Sequence, residues 1–423
     1  MLAALTGAVA GVAVTVLFLS YRHSHALTLH VLIAVVYCAG ALKDALPVRY
    51  FIALLLTVSI GKFAIQVGRT NNVRTAAFAA SCVYGALGTV VFVLGRPFSP
   101  DIGEASFRYV VLFPLAFVYG AAMVKAGLLS KFARAYLGWS LLFAILATVE
   151  ASRDAVIFPG MAPTILRDGE VRAVLLSEHP ILLSVYFVVC VPFVWRTVRS
   201  PILRWAFCVV LVSGILSTGS RGALVLVAVL AAVNLVSHLR RARQGARMTN
   251  VLVLGLSIGV ALGIVTLVAG VEPFEGASIT SSDPTVASVQ YRGVLYAEVA
   301  QSLKQMPFGW GVGGLPEGQI IVSSPFGPKD LALTVDSEIV LLAFDFGAAG
   351  VAAYLATMLW LVLGRGFRSP VSGAAIVAMS AGLYVAIHAW TGLPTLALFL
   401  VGATASAPTV TADRSLASGA LSR

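Results

Sequence analysis

The sequence predicts an all-α fold, a polytopic transmembrane helical bundle of about 12–13 spans with a large outer loop before span eleven. Three observations predict it. Of the 423 residues, 59% are hydrophobic and 11% are charged, whereas a soluble domain carries roughly 25% charged residues. Apolar runs of about 20 residues, the length that crosses a bilayer core as a helix, recur along the chain. The basic residues concentrate in alternate loops, as in a multi-pass membrane protein. This composition excludes a soluble enzyme, a disordered chain and a nucleic-acid-binding domain, although the net charge is +11.

Taken in order, the apolar runs place spans near residues 3–20, 26–42, 48–66, 75–95, 106–126, 131–150 and 179–196. They continue at 201–217, 222–238, 249–270, 338–364, 370–389 and 391–408. The first run lacks the basic start and small-residue cleavage site of a secretory signal, and so reads as a retained span. No internal repeat and no separate soluble domain is visible, so 1–423 reads as a single integral membrane domain. The four cysteines, Cys38, Cys82, Cys190 and Cys208, lie within apolar runs at no metal-ligand spacing. They read as small packing residues.

Assigning alternate loops to opposite sides separates the charges. One side holds seventeen basic residues, among them Arg199, Arg204, Arg240, Arg243 and Arg365, against the single acid Asp413. The positive-inside rule makes that side cytoplasmic, with the N-terminus outside and the C-terminus inside. Two loops on the other side are long enough to hold chemistry, 151–178 and 271–337. Any active site is expected on that outer face.

Three arginines stand at the mouths of outer spans. Arg221 follows Ser217-Thr218-Gly219-Ser220 and precedes Gly222, where two apolar runs meet. An arginine at the bilayer edge must find phosphate, carboxylate, carbonyl oxygens or water. Small hydroxyl residues and glycines around it let an anion approach the backbone closely. A headgroup anchor is the competing reading. Arg292 lies in Tyr291-Arg292-Gly293-Val294-Leu295-Tyr296, an expected interfacial helix over about 285–305 on which Arg292 and Tyr296 share a face at i,i+4. Arg172 precedes Ser177-Glu178-His179-Pro180 at the mouth of the span at 179–196, with Pro180 suited to the first helical turn and Ser177 or Glu178 near the cap. Asp336, Ser337 and Glu338 open the span at 338–364, where acids also suit a helix N-terminus simply as caps. The glycine-rich stretch Pro307-Phe308-Gly309-Trp310-Gly311-Val312-Gly313-Gly314 is neither a P-loop nor a Rossmann turn. Arginine forks bind phosphate oxygens at two points and stay charged, so the set suits a lipid-linked diphosphate.

From Arg172 to about Gly350 these pieces, with Asp345-Phe346-Gly347-Ala348-Ala349-Gly350, resemble in order and spacing the O-antigen ligase and O-antigen, capsule or exopolysaccharide polymerase superfamily of bacterial membrane glycosyltransferases. The resemblance implies a GT-C-like, inverting, metal-independent glycosyltransferase with no cofactor, multi-pass in the bacterial plasma membrane. Its partners would be a polyprenyl-diphosphate-linked glycan donor, a glycan or lipid-core acceptor, membrane lipids and other polysaccharide-assembly proteins. Arg221 and Arg292 would hold the donor diphosphate, with Arg172 assisting or binding the donor sugar. Ligases of this superfamily usually carry a His-Asn pair where this chain has Asp336-Ser337. That departure points to polymerisation of repeat units, or else to an unusual ligase that uses a carboxylate to join the glycan to a lipid or protein acceptor, and makes Asp336 the first candidate base, followed by Glu338, Glu178 and His179. A transporter of lipid-linked sugars is the reading from another class. Paired interrupted helices or inverted repeats, expected of a transporter, are not visible.

Overall fold

A computed structural model of the chain describes residues 24–42, 53, 56, 57, 60, 108–161, 165–167, 169–241, 279–280, 284–311, 318, 320–325, 327–330 and 335–407. The spans expected at 3–20, 75–95 and 249–270 and most of 48–66 lie outside these residues. The described helices are α1 (Ser24–Tyr37), the short α2 (Ala39–Leu42), α3 (Phe113–Lys125), α4 (Leu129–Ser152), α5 (Pro180–Thr197) and α6 (Pro201–Ser217). They continue with α7 (Arg221–Arg241), α8 (Pro284–Gln305), α9 (Glu338–Leu359), α10 (Pro370–Ser380) and α11 (Gly392–Ser406). Among the described residues two small antiparallel pairs decorate the loops: β1 (Leu166–Arg167) with β2 (Glu170–Val171), and β3 (Ile321–Val322) with β4 (Lys329–Asp330).

Proline after a capping residue starts several of these helices, because proline needs no intrahelical donor at the first position. Ser200 caps α6 before Pro201, and Ser369 caps α10 before Pro370 in a reciprocal capping box with Ser372. At α5 the cap is His179, one residue beyond the two expected. Its Nδ1 accepts from the Ile181 amide at 3.2 Å.

Among the described residues two helical segments, Leu129–Ser152 and Glu338–Arg365, are long and apolar enough to cross a membrane, and six shorter helices are apolar. On α6, Ile202, Trp205, Val209 and Leu216 are each more than half exposed. In water such a face would be costly, but against lipid tails it is the expected outer surface. Inside, Tyr37, Phe132, Tyr136, Tyr186, Phe193 and Phe399 form a buried aromatic core. Their hydroxyls are satisfied where needed: Tyr37 bonds Ser140 at 2.7 Å, and Tyr136 donates to the Tyr186 carbonyl at 2.9 Å. Helices α3 and α11 meet backbone to backbone, with Gly120 against Phe399 and Gly402 against Phe117. Neither site has room for a β-carbon, the close approach that small residues permit between membrane helices.

Two apolar runs are broken. The expected span 338–364 is interrupted at Gly347, whose φ of 62° and ψ of −148° lie outside helical geometry. The turn after α8 fills the break: Trp310 and Gly311 donate to the carbonyls of Phe344 and Asp345 at 2.6 and 3.1 Å, and the Pro307 carbonyl accepts from Ala348 at 2.9 Å. The expected span 370–389 is α-helical only as far as Ser380 and continues as 3-10 turns at Ala381–Leu383 and Ile387–Ala389. Gly382 abuts Tyr354 and Glu338 there, and the polar groups of 388–392 take partners from other helices.

Contacts gather the described segments at two ends of the bundle. Gly40 lies against the Ser177 carbonyl, Arg172 against Thr218, and Arg108 against His388 and Ala389 at one end. At the other end Arg365 donates to the carbonyls of Ala407 and Ala405 at 2.7 and 2.9 Å, closing the C-terminus of α11, and Gly373 approaches Pro192. The first end gathers the long loops.

Candidate functional site

At the end carrying the long loops, α4 delivers Glu150, fully buried, to the segment leading into α5. Its carboxylate accepts from the amides of Ile157, Val174 and Leu175 at 3.1, 3.2 and 2.9 Å. Leu175 adopts a positive φ of 53°, a costly conformation for leucine that these bonds help to hold. The same segment then docks on the turn between α6 and α7. Ala173 donates to the Ser217 carbonyl at 3.0 Å, and Arg172 Nε donates to the Thr218 carbonyl at 2.8 Å. Gly219, at φ 63°, closes that turn, and a β-carbon on it would stand 3.3 Å from Arg172 Nε. Arg221, exposed, opens α7 two residues later, and Gly222 packs against the Tyr384 ring. Arg172 and Arg221 thus flank one tight, hydroxyl-rich turn.

Helix α8 brings the third arginine. Its buried face, including Tyr291, Val294, Leu295 and Val299, packs with Val340, Ala343 and Phe344 of α9. The neighbouring face presents Arg292 and Tyr296 to the residues that precede α9. Arg292 Nε pairs with Asp336 Oδ2 at 3.2 Å, both side chains about one-third exposed at 34% and 31%. Tyr296 and Ser337 share a hydrogen bond of 3.0 Å between their hydroxyls. Burial raises the Asp336 carboxyl above the ordinary range, and the neighbouring Arg292 charge opposes that shift. Asp336 Oδ1 is buried with no hydrogen-bond partner among the described residues.

The third residue of the trio, Glu338, is fully buried and engages His388 twice. One carboxylate oxygen meets His388 Nδ1, and the other accepts from the His388 backbone amide at 3.0 Å. The histidine ring is stacked on Tyr109 at 5.5 Å between centroids and meets Phe113 edge-on at 4.9 Å. Arg108 donates to the carbonyls of His388 and Ala389 at 2.9 and 3.0 Å, and Tyr109 donates to Asp345 at 3.1 Å. The next residue, Trp390, lies 5.7 Å from the His179 ring. The amides of Thr391 and Gly392 then donate to Glu178 at 3.3 and 3.4 Å, so this acid faces the positive end of α11. Burial, and then the Arg172 charge, pull the His179 ring down to about 4, which leaves it neutral near pH 7.

The irregular segment 381–392 therefore lies between elements that the sequence only names separately. Glu338 from α9, Glu178 and His179 from the mouth of α5, Arg108 from the turn before α3, and Gly222 at the start of α7 all touch it. Arg292 and Asp336 join through the residues adjoining Glu338, and Arg172 through the turn that precedes Arg221. His388, Arg108, Tyr109 and Glu150 were not singled out by sequence reasoning. A signal for two of them existed, since His388 and Glu150 are ionisable groups at the ends of otherwise apolar runs, where such groups are costly without a partner. No group of three or more His, Cys, Asp or Glu side chains is placed to hold a metal ion among the described residues.

Against known protein families, residues 206–355 match the model described as O-antigen ligase. That stretch runs from α6 into α9. It includes Arg221, Arg292, Asp336 and Glu338, and leaves Arg172, Glu178, His179 and His388 outside. No curated protein matches the chain.

Proposed function

We propose that this chain, similar over α6–α9 to the O-antigen ligase family, transfers a glycan from a polyprenyl-diphosphate donor at the outer face of the bacterial plasma membrane. Polymerisation of polysaccharide repeat units is the form that Asp336-Ser337 favours, since the histidine expected there in a ligase is replaced. The description of the matching family favours the second form, ligation of a finished glycan to a lipid or protein acceptor.

One observation carries the reading: arginines from three separate elements, with the carboxylates of Asp336 and Glu338 near Arg292, stand at one end of an otherwise apolar bundle. Arg172 and Arg221 flank a turn of small residues that lets phosphate oxygens approach, and Arg292 stands over the start of α9. In the step, the acceptor hydroxyl attacks the anomeric carbon of the donor sugar. The bond from that carbon to the diphosphate oxygen breaks, and its electron pair leaves with the polyprenyl diphosphate. The arginines neutralise the charge that grows on the leaving oxygens, and a protein base takes the hydroxyl proton. The exposed apolar face of α6 keeps the bundle in lipid, beside a donor whose polyprenyl tail also resides there.

The sharp test is Arg221→Lys, which retains the charge and loses the two-point fork. Transfer should fall by about 10²–10³-fold, the usual scale for losing one donor to a developing anion. Wild-type turnover at normal protein level would remove diphosphate binding from this turn. The glycan profile of cells lacking the protein then separates the forms. Single repeat units without longer chains would identify the polymerase, and full-length chains stranded on the carrier would identify the ligase. An unchanged profile would sink both.

A further inference from the structure

Each acid or base candidate that the sequence supplied has a partner in the structure. Asp336 is paired through Oδ2 with Arg292, Glu178 with the N-terminus of α11, and His179 Nδ1 with the Ile181 amide. A neutral histidine whose Nδ1 accepts a hydrogen bond carries its proton on Nε2, so His179 offers a donor there and not a lone pair. Glu338 is wholly buried behind a second histidine.

We propose that His388 takes the proton of the acceptor hydroxyl, with Glu338 as the residue that positions it, a proposal that rests on the glycosyl-transfer reading above. Three features of the geometry support it. Glu338 holds His388 through both the ring Nδ1 and the backbone amide, which fixes ring position as well as ring orientation. A carboxylate accepting from Nδ1–H selects the tautomer in which Nε2 bears the lone pair, and it stabilises the imidazolium once a proton arrives. Tyr109 and Phe113 hold the ring plane from the face and the edge. The exposure of the pair also fits: the carboxylate side chain is 0% exposed and the histidine side chain 11%, so of the two the ring is the one that remains accessible.

In the balanced step the acceptor oxygen forms its bond to the anomeric carbon as the carbon–oxygen bond to diphosphate breaks. The hydroxyl proton passes to His388 Nε2, and the departing electron pair remains on the diphosphate held by arginine. The assignment places the function of the missing 336 histidine about fifty positions further along the chain, on the segment that Glu338 reaches.

The test uses the full-length protein in lipid nanodiscs and the lipid-linked glycan extracted from cells lacking it. His388→Ala should lower kcat by about 10²–10⁴-fold, the range for removing a general base. The KM for donor and the retention of polyprenyl diphosphate, used alone as the binding probe, should stay near wild type. Added imidazole should restore part of the lost turnover in His388→Ala, and Glu338→Gln should lose less than His388→Ala does. Turnover of His388→Ala within twofold of wild type would overturn the assignment. A loss that imidazole does not restore, accompanied by a lowered melting temperature, would also overturn it and leave a structural pair. A loss of kcat confined to Asp336→Asn would move the base to Asp336. If the wild-type protein itself transfers nothing, the glycosyl-transfer reading fails instead.

Discussion

Two interruptions of apolar helices stand near the same end of the molecule and are resolved in opposite ways. At Gly347 the break in α9 is sealed by main chain: the 307–311 turn exchanges three backbone hydrogen bonds with it, and Gly309 and Gly347 face each other with no space for a β-carbon. Between α10 and α11 the break at 381–391 is resolved by side chains, with Glu338, Glu178 and Arg108 taking its amides and carbonyls. A freed backbone group in an apolar setting must be satisfied in either case. A main-chain seal consumes no chemistry and points to structure. A side-chain seal draws ionisable groups from several elements to one place, and the proposed site lies there.

The largest expected effect tests the sealed break. Gly347→Ala puts a β-carbon at a backbone conformation that essentially glycine alone adopts, at a cost of about 1–3 kcal/mol, and drives it into the Pro307 carbonyl. Protein recovered from membranes as a monodisperse species should fall severely. Normal recovery with a normal melting temperature would mean that the 307–311 turn does not seal α9.

A smaller effect sharpens the contrast at the other break. Gly382→Ala would set a β-carbon 2.8 Å from the Glu338 Cβ and against the Tyr354 hydroxyl. Shifting Glu338 by about 1 Å should lower transfer by about 10²-fold, the scale on which misplaced catalytic groups act. Protein level should change far less than in Gly347→Ala. Equal losses of abundance in the two variants would erase the distinction between the breaks.

The smallest effect is a pH dependence. The folded His179 ring titrates at about 4, against 6.5 for an ordinary histidine. Because the unfolded chain takes up this proton first, stability is lost as pH falls from 6.5 toward 4. In detergent, the melting temperature of His179→Gln should therefore fall less than that of the wild type between pH 7 and pH 4.5. Parallel curves would mean that His179 is not held neutral.

Much of the fold was legible because lipid-facing helices must be apolar along their length. The described helices α4, α5 and α6 fall within two residues of the spans read from the sequence, and α8 within one. The i,i+4 spacing of Arg292 and Tyr296 correctly placed both on one face, where they meet Asp336 and Ser337. The end of α10 was not legible, because Leu383, Val385, Ala386 and Ile387 are as apolar as a helix would be. What stops the helix there is tertiary, the approach of Gly382 to Glu338 and the capture of His388. For the same reason the chain order conceals His388, which is fifty residues from the acid that holds it.

The sealed break also constrains biogenesis. Residues 307–311 precede α9 in the chain, so the turn is synthesised before the helix that it completes. Until the two dock, the carbonyls of Phe344 and Asp345 and the amide of Ala348 lack the partners that the turn supplies. Completion of the backbone pairing at this break therefore waits on docking of the preceding turn, and the two segments are stable only together.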